Sequence, residues 1–344
     1  MKKMKAGVLC GNEDLRVMEI DMPTVTKGEL LVKVRATGIC GSDVPRVLYN
    51  GAHYYPIVLG HEFSGEVVEI GTEVTDFAVG DRVAGVPLVP CMQCDDCRKG
   101  NYSLCKHYTF IGSREQGSFA EYIKLPVQNA VKFDPSVSFE QGALFEPSTV
   151  ALHGVKLTDY VGGKRVAILG GGTIGLFTMQ WAEIFGAAHV TVFDVNDERL
   201  ALARDLGADE TVNTTLSKLP KGSFDYVFET AGQASTILDA YEIAANKGYV
   251  CFIGTPHTPV TFTPAQWENL NRKELTVRGS WMSYSASFPG EEWKLTAHYF
   301  ATGQLRYDEK MIFKKWPLDQ IKNAFMLYKT QGGVGGKMLI INED

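Results

Sequence analysis

KRVAILGGGTIGLFTMQWA, residues 164–182, decides the fold. A short apolar run of strand character enters a glycine-rich turn, and a stretch with helical periodicity leaves it. Gly170, Gly172 and Gly175 keep the G-x-G-x-x-G spacing. The first allows a tight strand-to-helix turn, the second lets backbone approach a pyrophosphate, and the third lets helix and strand pack closely. Thr173 and Ile174 then open a helix whose unpaired N–H groups can face phosphates. Nineteen residues after Gly175, Asp194 ends the next apolar run, where a carboxylate accepts ribose hydroxyls and repels a 2′-phosphate. A glycine-rich turn in an unrelated α/β domain is the plain alternative, but strand, helix and acid all stand where a dinucleotide site needs them. The expected cofactor is NAD, although Arg199, five residues beyond Asp194, could receive the extra phosphate of NADP. Asn196 and Asp197 are better placed than Asp194 to cap the following helix.

Working outward from this turn, apolar runs at 190–193, 226–229, 250–254 and 275–279 alternate with helical periodicity at 176–185, 198–206 and 237–245. Such alternation predicts a parallel, doubly wound α/β sheet. On the other side, residues 1 to about 150 are β-rich, as at 30–34, 65–70 and 82–86, with Gly, Pro and Asp between the runs. That is the pattern of a small barrel-like β domain. A helix is expected over 291–301 and a strand at 337–341 (KMLII), which could return to the first domain.

At 344 residues, 45% hydrophobic and 22% charged, the chain has the length and composition of a two-domain globular protein. A formal net charge of −6 with no long run of one sign argues against nucleic acid or an anionic membrane surface as the main partner. No apolar run approaches the ~18 residues of a membrane span, and no apolar segment follows the basic start. The seven cysteines are an odd number, four of them between 91 and 105, which points to metal in a reducing compartment rather than disulfides. A cytoplasmic location is therefore expected.

Cys91, Cys94, Cys97 and Cys105 have the spacing C-x2-C-x2-C-x7-C. Four thiolates in one loop can close a tetrahedron around zinc, leaving no open position, so the site reads as structural. An iron–sulfur cluster is the chemical competitor. A looser set comprises Cys40, His61, Glu62 and Glu146. One thiolate, one imidazole and a carboxylate, with an exchangeable fourth position, is how catalytic zinc is held. Taken singly, Cys40 is as easily a small buried hydrophobe and His61 a satisfied core residue.

Together CGSD at 40–43, GHEFSG at 60–65, GDRV at 80–83, the four-cysteine loop and GGGTIG at 170–175 resemble the zinc-containing medium-chain alcohol dehydrogenases over essentially the whole chain. The resemblance implies a catalytic domain with a chaperonin-10-like β-barrel, split between 1–149 and 296–344, and an NAD-binding Rossmann domain at 150–295. It implies one structural and one catalytic zinc per chain. Cys40 and His61 would hold the catalytic zinc, with Glu146 as third ligand and Glu62 close enough to exchange with it. Asp43 would orient His61. The carboxylate at 146 is similar to the polyol branch. Within that branch the stretches at 40–65, 108–122 and 272–285 are closest to enzymes that oxidise a hexitol phosphate such as galactitol 1-phosphate to a ketose phosphate. Two departures stand out: the Arg–Tyr pair of sorbitol dehydrogenases is not evident in GSWMSYS (279–285), and the relay histidine of ethanol-type enzymes would fall near Pro45.

The implied chemistry is zinc-assisted oxidation of a secondary hydroxyl with hydride transfer to NAD. Ser42 would accept the hydroxyl proton in a hydrogen-bonded relay, with solvent or the cofactor ribose beyond it; a turn-capping hydroxyl in CGSD is the plain alternative, compatible with that role. Arg46, His53 and Arg114 are candidates for a substrate phosphate, each alone an ordinary surface residue. A free-polyol or threonine dehydrogenase would share the same zinc and NAD apparatus. A non-catalytic NAD- or zinc-binding protein would show a broken ligand set, and a zinc-ribbon nucleic-acid binder a basic cysteine loop. The family further suggests a homodimer or homotetramer, with an edge strand near 275–285 as a contact.

Overall fold

The computed structural model describes residues 2–330 and 334–343. They form two compact units: one comprises the chain up to Glu146, Tyr284–Gly303 and the chain from Ile312, the other Pro147–Ser283 and Gln304–Met311.

In the first unit the strand Glu29–Ile39 is the organiser. Its β-branched and aliphatic run is almost wholly buried, and it pairs antiparallel with Glu62–Ile70, Tyr122–Pro126 and Lys337–Ile341. The sheet continues through Arg82–Gly85 to Ala130–Lys132 on one side and through Ile312–Pro317 on the other. Leu30, Val32, Val34, Phe63, Val67, Val83 and Ile123 make one core of this unit. A second core gathers Leu9, Ile39, Leu59, Phe119, Met338 and Ile340. The pairing of Lys337–Ile341 with Glu29–Ile39 brings a late segment of chain beside Cys40.

The second unit is a six-stranded parallel sheet in the order Glu210–Asn213, His189–Asp194, Arg165–Leu169, Phe224–Glu229, Ala244–Phe252, Thr276–Gly279. The chain order reverses between Arg165–Leu169 and Phe224–Glu229, which is where a doubly wound sheet opens a ligand crevice. Ala167, Leu169, Phe193, Val227, Ala240 and Val250 pack its core.

The domain boundaries differ from those expected at 150 and 295. Residues 284–295 pack with the β unit, because the helix Glu291–Ala301 buries Trp293 and Phe300, and Phe300 stacks on Phe145 (centroids 5.4 Å, 5° between planes). Gln304–Met311 instead joins the parallel unit, where the Arg306 N–H donates to Gln180 Oε1 (2.6 Å) and Lys310 pairs with Asp205 (2.9 Å). Among the described residues no helix is long and apolar enough to cross a membrane.

Candidate metal centres and cofactor site

The four-cysteine loop folds back on itself through the short helix Asp95–Arg98 and a turn at Tyr102–Leu104. Its sulfurs pair at 3.9 Å, Cys91 with Cys97 and Cys94 with Cys105, and all four lie within 4.8 Å of one another. A zinc tetrahedron with bonds of about 2.3 Å has edges of about 3.8 Å, so the donor set fits the ion. Backbone N–H groups point at the sulfurs, from Cys94 and Gln93 to Cys91 and from Cys91 to Cys105, at 3.4–3.5 Å. The amide of Cys97 leads in lowering the Cys94 thiol to about 6, so a thiolate is favoured there.

The second group is assembled from distant segments. Cys40 follows the strand Glu29–Ile39, His61 and Glu62 stand where Glu62–Ile70 begins, and their donor atoms lie within 4.8 Å of one another. Asp43, fully buried, accepts from the Cys40 N–H at 3.2 Å and places Oδ1 3.5 Å from His61 Nδ1. Burial opposes protonation of His61, but Asp43 and Cys40 outweigh it and hold its pKa well above the usual value. The pocket therefore favours positive charge, which a divalent ion supplies. Ser42 is exposed, with its Oγ 3.4 Å from Cys40 Sγ.

Glu146, the third ligand expected from the resemblance, lies outside this close group; the acid gathered with Cys40 and His61 is Glu62. Glu146 sits in the first turn of the helix Phe145–Lys156, and burial, with Glu62 next, pushes its carboxyl up to about 7.

The residue missed from sequence is Lys337. Its ammonium donates to both Glu62 oxygens, at 2.8 and 2.6 Å, and both side chains are buried. Burial works against the ammonium, yet Glu62 and then Cys40 outweigh it and raise its pKa. Tyr328 also faces this charge cluster; burial raises its phenol, with Lys337 and Glu62 as the next influences. A lysine opening an otherwise apolar, buried strand was the readable signal for Lys337.

The structure brings Arg46, His53 and Arg114 into one another's electrostatic reach. Burial lowers His53, and the charges of Arg114 and Arg46 lower it further. Arg46 also donates to the Ser42 carbonyl at 2.6 Å, and Arg114 lies over the Tyr108 ring at 4.9 Å.

In the parallel unit, Gly170 adopts φ 107°, Gly172 stands at the N-cap of the helix Thr173–Ile184, and a side chain at Gly175 would collide with the Gly170 carbonyl. Asp194 accepts from the Gly171 N–H at 2.7 Å and from the Asn196 N–H at 2.9 Å, one on each oxygen. A carboxylate has about four acceptor sites, so capacity remains for ribose hydroxyls. Asn196 caps the helix Asp197–Asp205, and Arg199 Nη1 stands 3.8 Å from Asp194.

Two family models match the chain: the alcohol dehydrogenase GroES-like domain at residues 26–135 and the zinc-binding dehydrogenase at 173–298. A galactitol 1-phosphate 5-dehydrogenase of Escherichia coli is 43% identical over 336 residues, covering 95% of this chain and 96% of its own. An L-threonine 3-dehydrogenase of Pseudoalteromonas atlantica is 36% identical, over 75% of this chain and 78% of its own. The crystal structure of galactitol-1-phosphate dehydrogenase from Escherichia coli matches with a TM-score of 0.93 at 39% identity, over 98% of this chain and 100% of that one. Identity of this extent over nearly the whole length places the protein in the zinc-containing medium-chain alcohol dehydrogenase family.

Proposed function

We propose that the protein is an NAD-dependent dehydrogenase that oxidises a secondary hydroxyl of a hexitol phosphate, such as galactitol 1-phosphate, to the ketose phosphate. The observation that carries the phosphate is the grouping of Arg46 and Arg114 around His53, in the same unit as Cys40 and His61. Guanidinium forks bind phosphate through paired charge-assisted hydrogen bonds, and two of them suit a dianion. Similarity to the galactitol 1-phosphate enzyme supports the same substrate class.

When bound, zinc makes the substrate hydroxyl more acidic and NAD accepts the hydride. Cys40, His61 and Glu146 are assigned to the catalytic ion, because both oxygens of Glu62 already accept from Lys337. Glu62 stays near enough to exchange. Asp43 sets the His61 ring orientation from its Nδ1 side. Ser42 takes the hydroxyl proton as it passes its own to solvent or the cofactor ribose, a relay that Pro45 cannot make. Cys91, Cys94, Cys97 and Cys105 hold the structural ion. Gly170, Gly172, Thr173, Ile174 and Gly175 receive the pyrophosphate, and Asp194 the ribose. NAD is favoured over NADP because Arg199 is drawn to the Asp194 charge. The seven cysteines, all free, suit the cytoplasm, and the strand Thr276–Gly279 at the sheet edge offers a contact for a homodimer or homotetramer.

The test is NADH formation with matched substrates: galactitol 1-phosphate, galactitol, sorbitol 6-phosphate, sorbitol and threonine. A kcat/KM for one phosphorylated polyol at least ~100-fold above its free alcohol corresponds to about 2.7 kcal/mol of phosphate recognition. Arg114→Ala should then raise KM for the phosphate ester and leave the free alcohol unchanged. Preference for free polyols or for threonine, the substrate named for the 36% relative, would sink the phosphate reading and keep the zinc chemistry.

A further inference from the structure

The peptide joining Gly170 to Gly171 is gripped at both ends. Its carbonyl oxygen, on Gly170, accepts from the Thr230 hydroxyl at 3.1 Å. Its N–H, on Gly171, donates to Asp194 Oδ2 at 2.7 Å. A peptide unit is planar, so holding both polar ends fixes the orientation of the whole unit. The turn needs that support: Gly170, Gly171 and Gly172 are consecutive, and glycine is the least restricted of residues, so the backbone does not hold its own shape there.

Thr230 directly follows the strand Phe224–Glu229, and its hydroxyl also lies 3.0 Å from the Leu169 carbonyl. That carbonyl already accepts from the Thr230 N–H at 2.9 Å, so strand pairing does not call for the hydroxyl. Its one hydrogen is shared between the two carbonyls of the turn. Thr230 is itself anchored, because the next two residues, Ala231 and Gly232, donate their N–H groups to Glu229 Oε1 at 3.0 and 2.8 Å. The fit is close: a Cβ at Gly170 or at Gly175 would stand 3.0 Å from Thr230 Oγ1.

We propose that Thr230 is a positioning residue of the dinucleotide turn: with Asp194 it locks the Gly170–Gly171 peptide and so aims the N–H groups that follow, from Gly172 to Ile174, at the cofactor pyrophosphate. This rests on the reading of the turn as a nicotinamide-dinucleotide site. The two grips act through one rigid unit, so the loss of either loosens what the other holds.

The test is NADH binding to the zinc-loaded protein, followed by fluorescence of the bound cofactor, with NADPH alongside. Thr230→Val keeps the side-chain shape and should weaken NADH binding by about three- to tenfold, the worth of one hydrogen bond. Thr230→Ser keeps the hydroxyl and should bind within about twofold of wild type. Weakening equal to that of Thr230→Val would trace the effect to the methyl group and overturn the proposal. Should Thr230→Val fail to fold, Thr230→Ala against Thr230→Ser makes the same comparison. Asp194→Ala removes the other grip, so in that background Thr230→Val should add less than about twofold. Full additivity would overturn the shared grip. Unchanged affinity in Thr230→Val would remove Thr230 and keep the turn as the cofactor site. Wild-type protein that binds neither NADH nor NADPH would remove the site, and the role of Thr230 with it.

Discussion

The two candidate metal centres sit in one unit and are built on opposite plans. The four-cysteine loop takes every donor from residues 91–105 and uses one kind of atom, with backbone N–H groups pointing at the sulfurs. The Cys40–His61–Glu62 group draws on the ends of separate strands and balances its acid with a lysine 275 residues from Glu62. A closed, uniform shell holds an ion rigidly. A mixed shell whose acid is restrained by a lysine is held less rigidly.

The contrast breaks first at His61. His61→Ala should lower turnover by about a thousandfold or more, equivalent to roughly 4 kcal/mol, while one zinc per chain remains in the cysteine loop. Metal analysis beside steady-state kinetics checks this, and wild-type turnover would mean that the ion does its chemistry elsewhere. Cys97→Ser should do the reverse. The melting temperature should fall by roughly 10 °C as the structural ion leaves, while protein that stays folded keeps its turnover. A melting point that does not move would deny the loop its structural role.

Lys337→Met sharpens the comparison. Stripped of metal, this variant leaves Glu62 buried without its partner and should lose about 3 kcal/mol in urea unfolding. With zinc present the ion can take over the lysine's charge, so the loss should be smaller. Equal losses in both states would show that Glu62 never turns toward the metal.

The smallest effect lies outside both centres. Glu229, at the end of the strand Phe224–Glu229, accepts from the Ala231 and Gly232 N–H groups and the Thr236 hydroxyl, and burial raises its pKa. A raised folded-state value means that its share of stability is full below the unfolded value near 4.5 and is lost as pH rises through the folded one. Glu229→Gln should flatten that decline above pH 4.5, read by urea unfolding across pH. A slope unchanged by the substitution would rule Glu229 out as its source.

The glycine turn and the alternation around it made the parallel sheet legible, because buried parallel strands are continuous apolar runs. The strand Glu210–Asn213 escaped for the opposite reason: ETVN lies at the sheet edge and is only partly buried. The helix Pro264–Arg272 buries no residue fully and was passed over, although its Thr263–Gln266 capping box and Pro264 were readable. Candidate metal donors could be nominated because few residue types bind zinc. Lys337 left only the sign of a charge opening an apolar strand, since a partner across the sheet leaves no trace in local spacing.

The spacing of the donors has a consequence for how the protein is made. Every sulfur of the cysteine loop lies within residues 91–105, so its donors are complete while most of the chain is still being synthesised. The second centre lacks its compensating cation until the strand Lys337–Ile341 is in place. If both groups hold zinc, loading is ordered in time: the loop can be sealed early, and the second ion would seat in its finished site only once the closing strand of the β unit has docked.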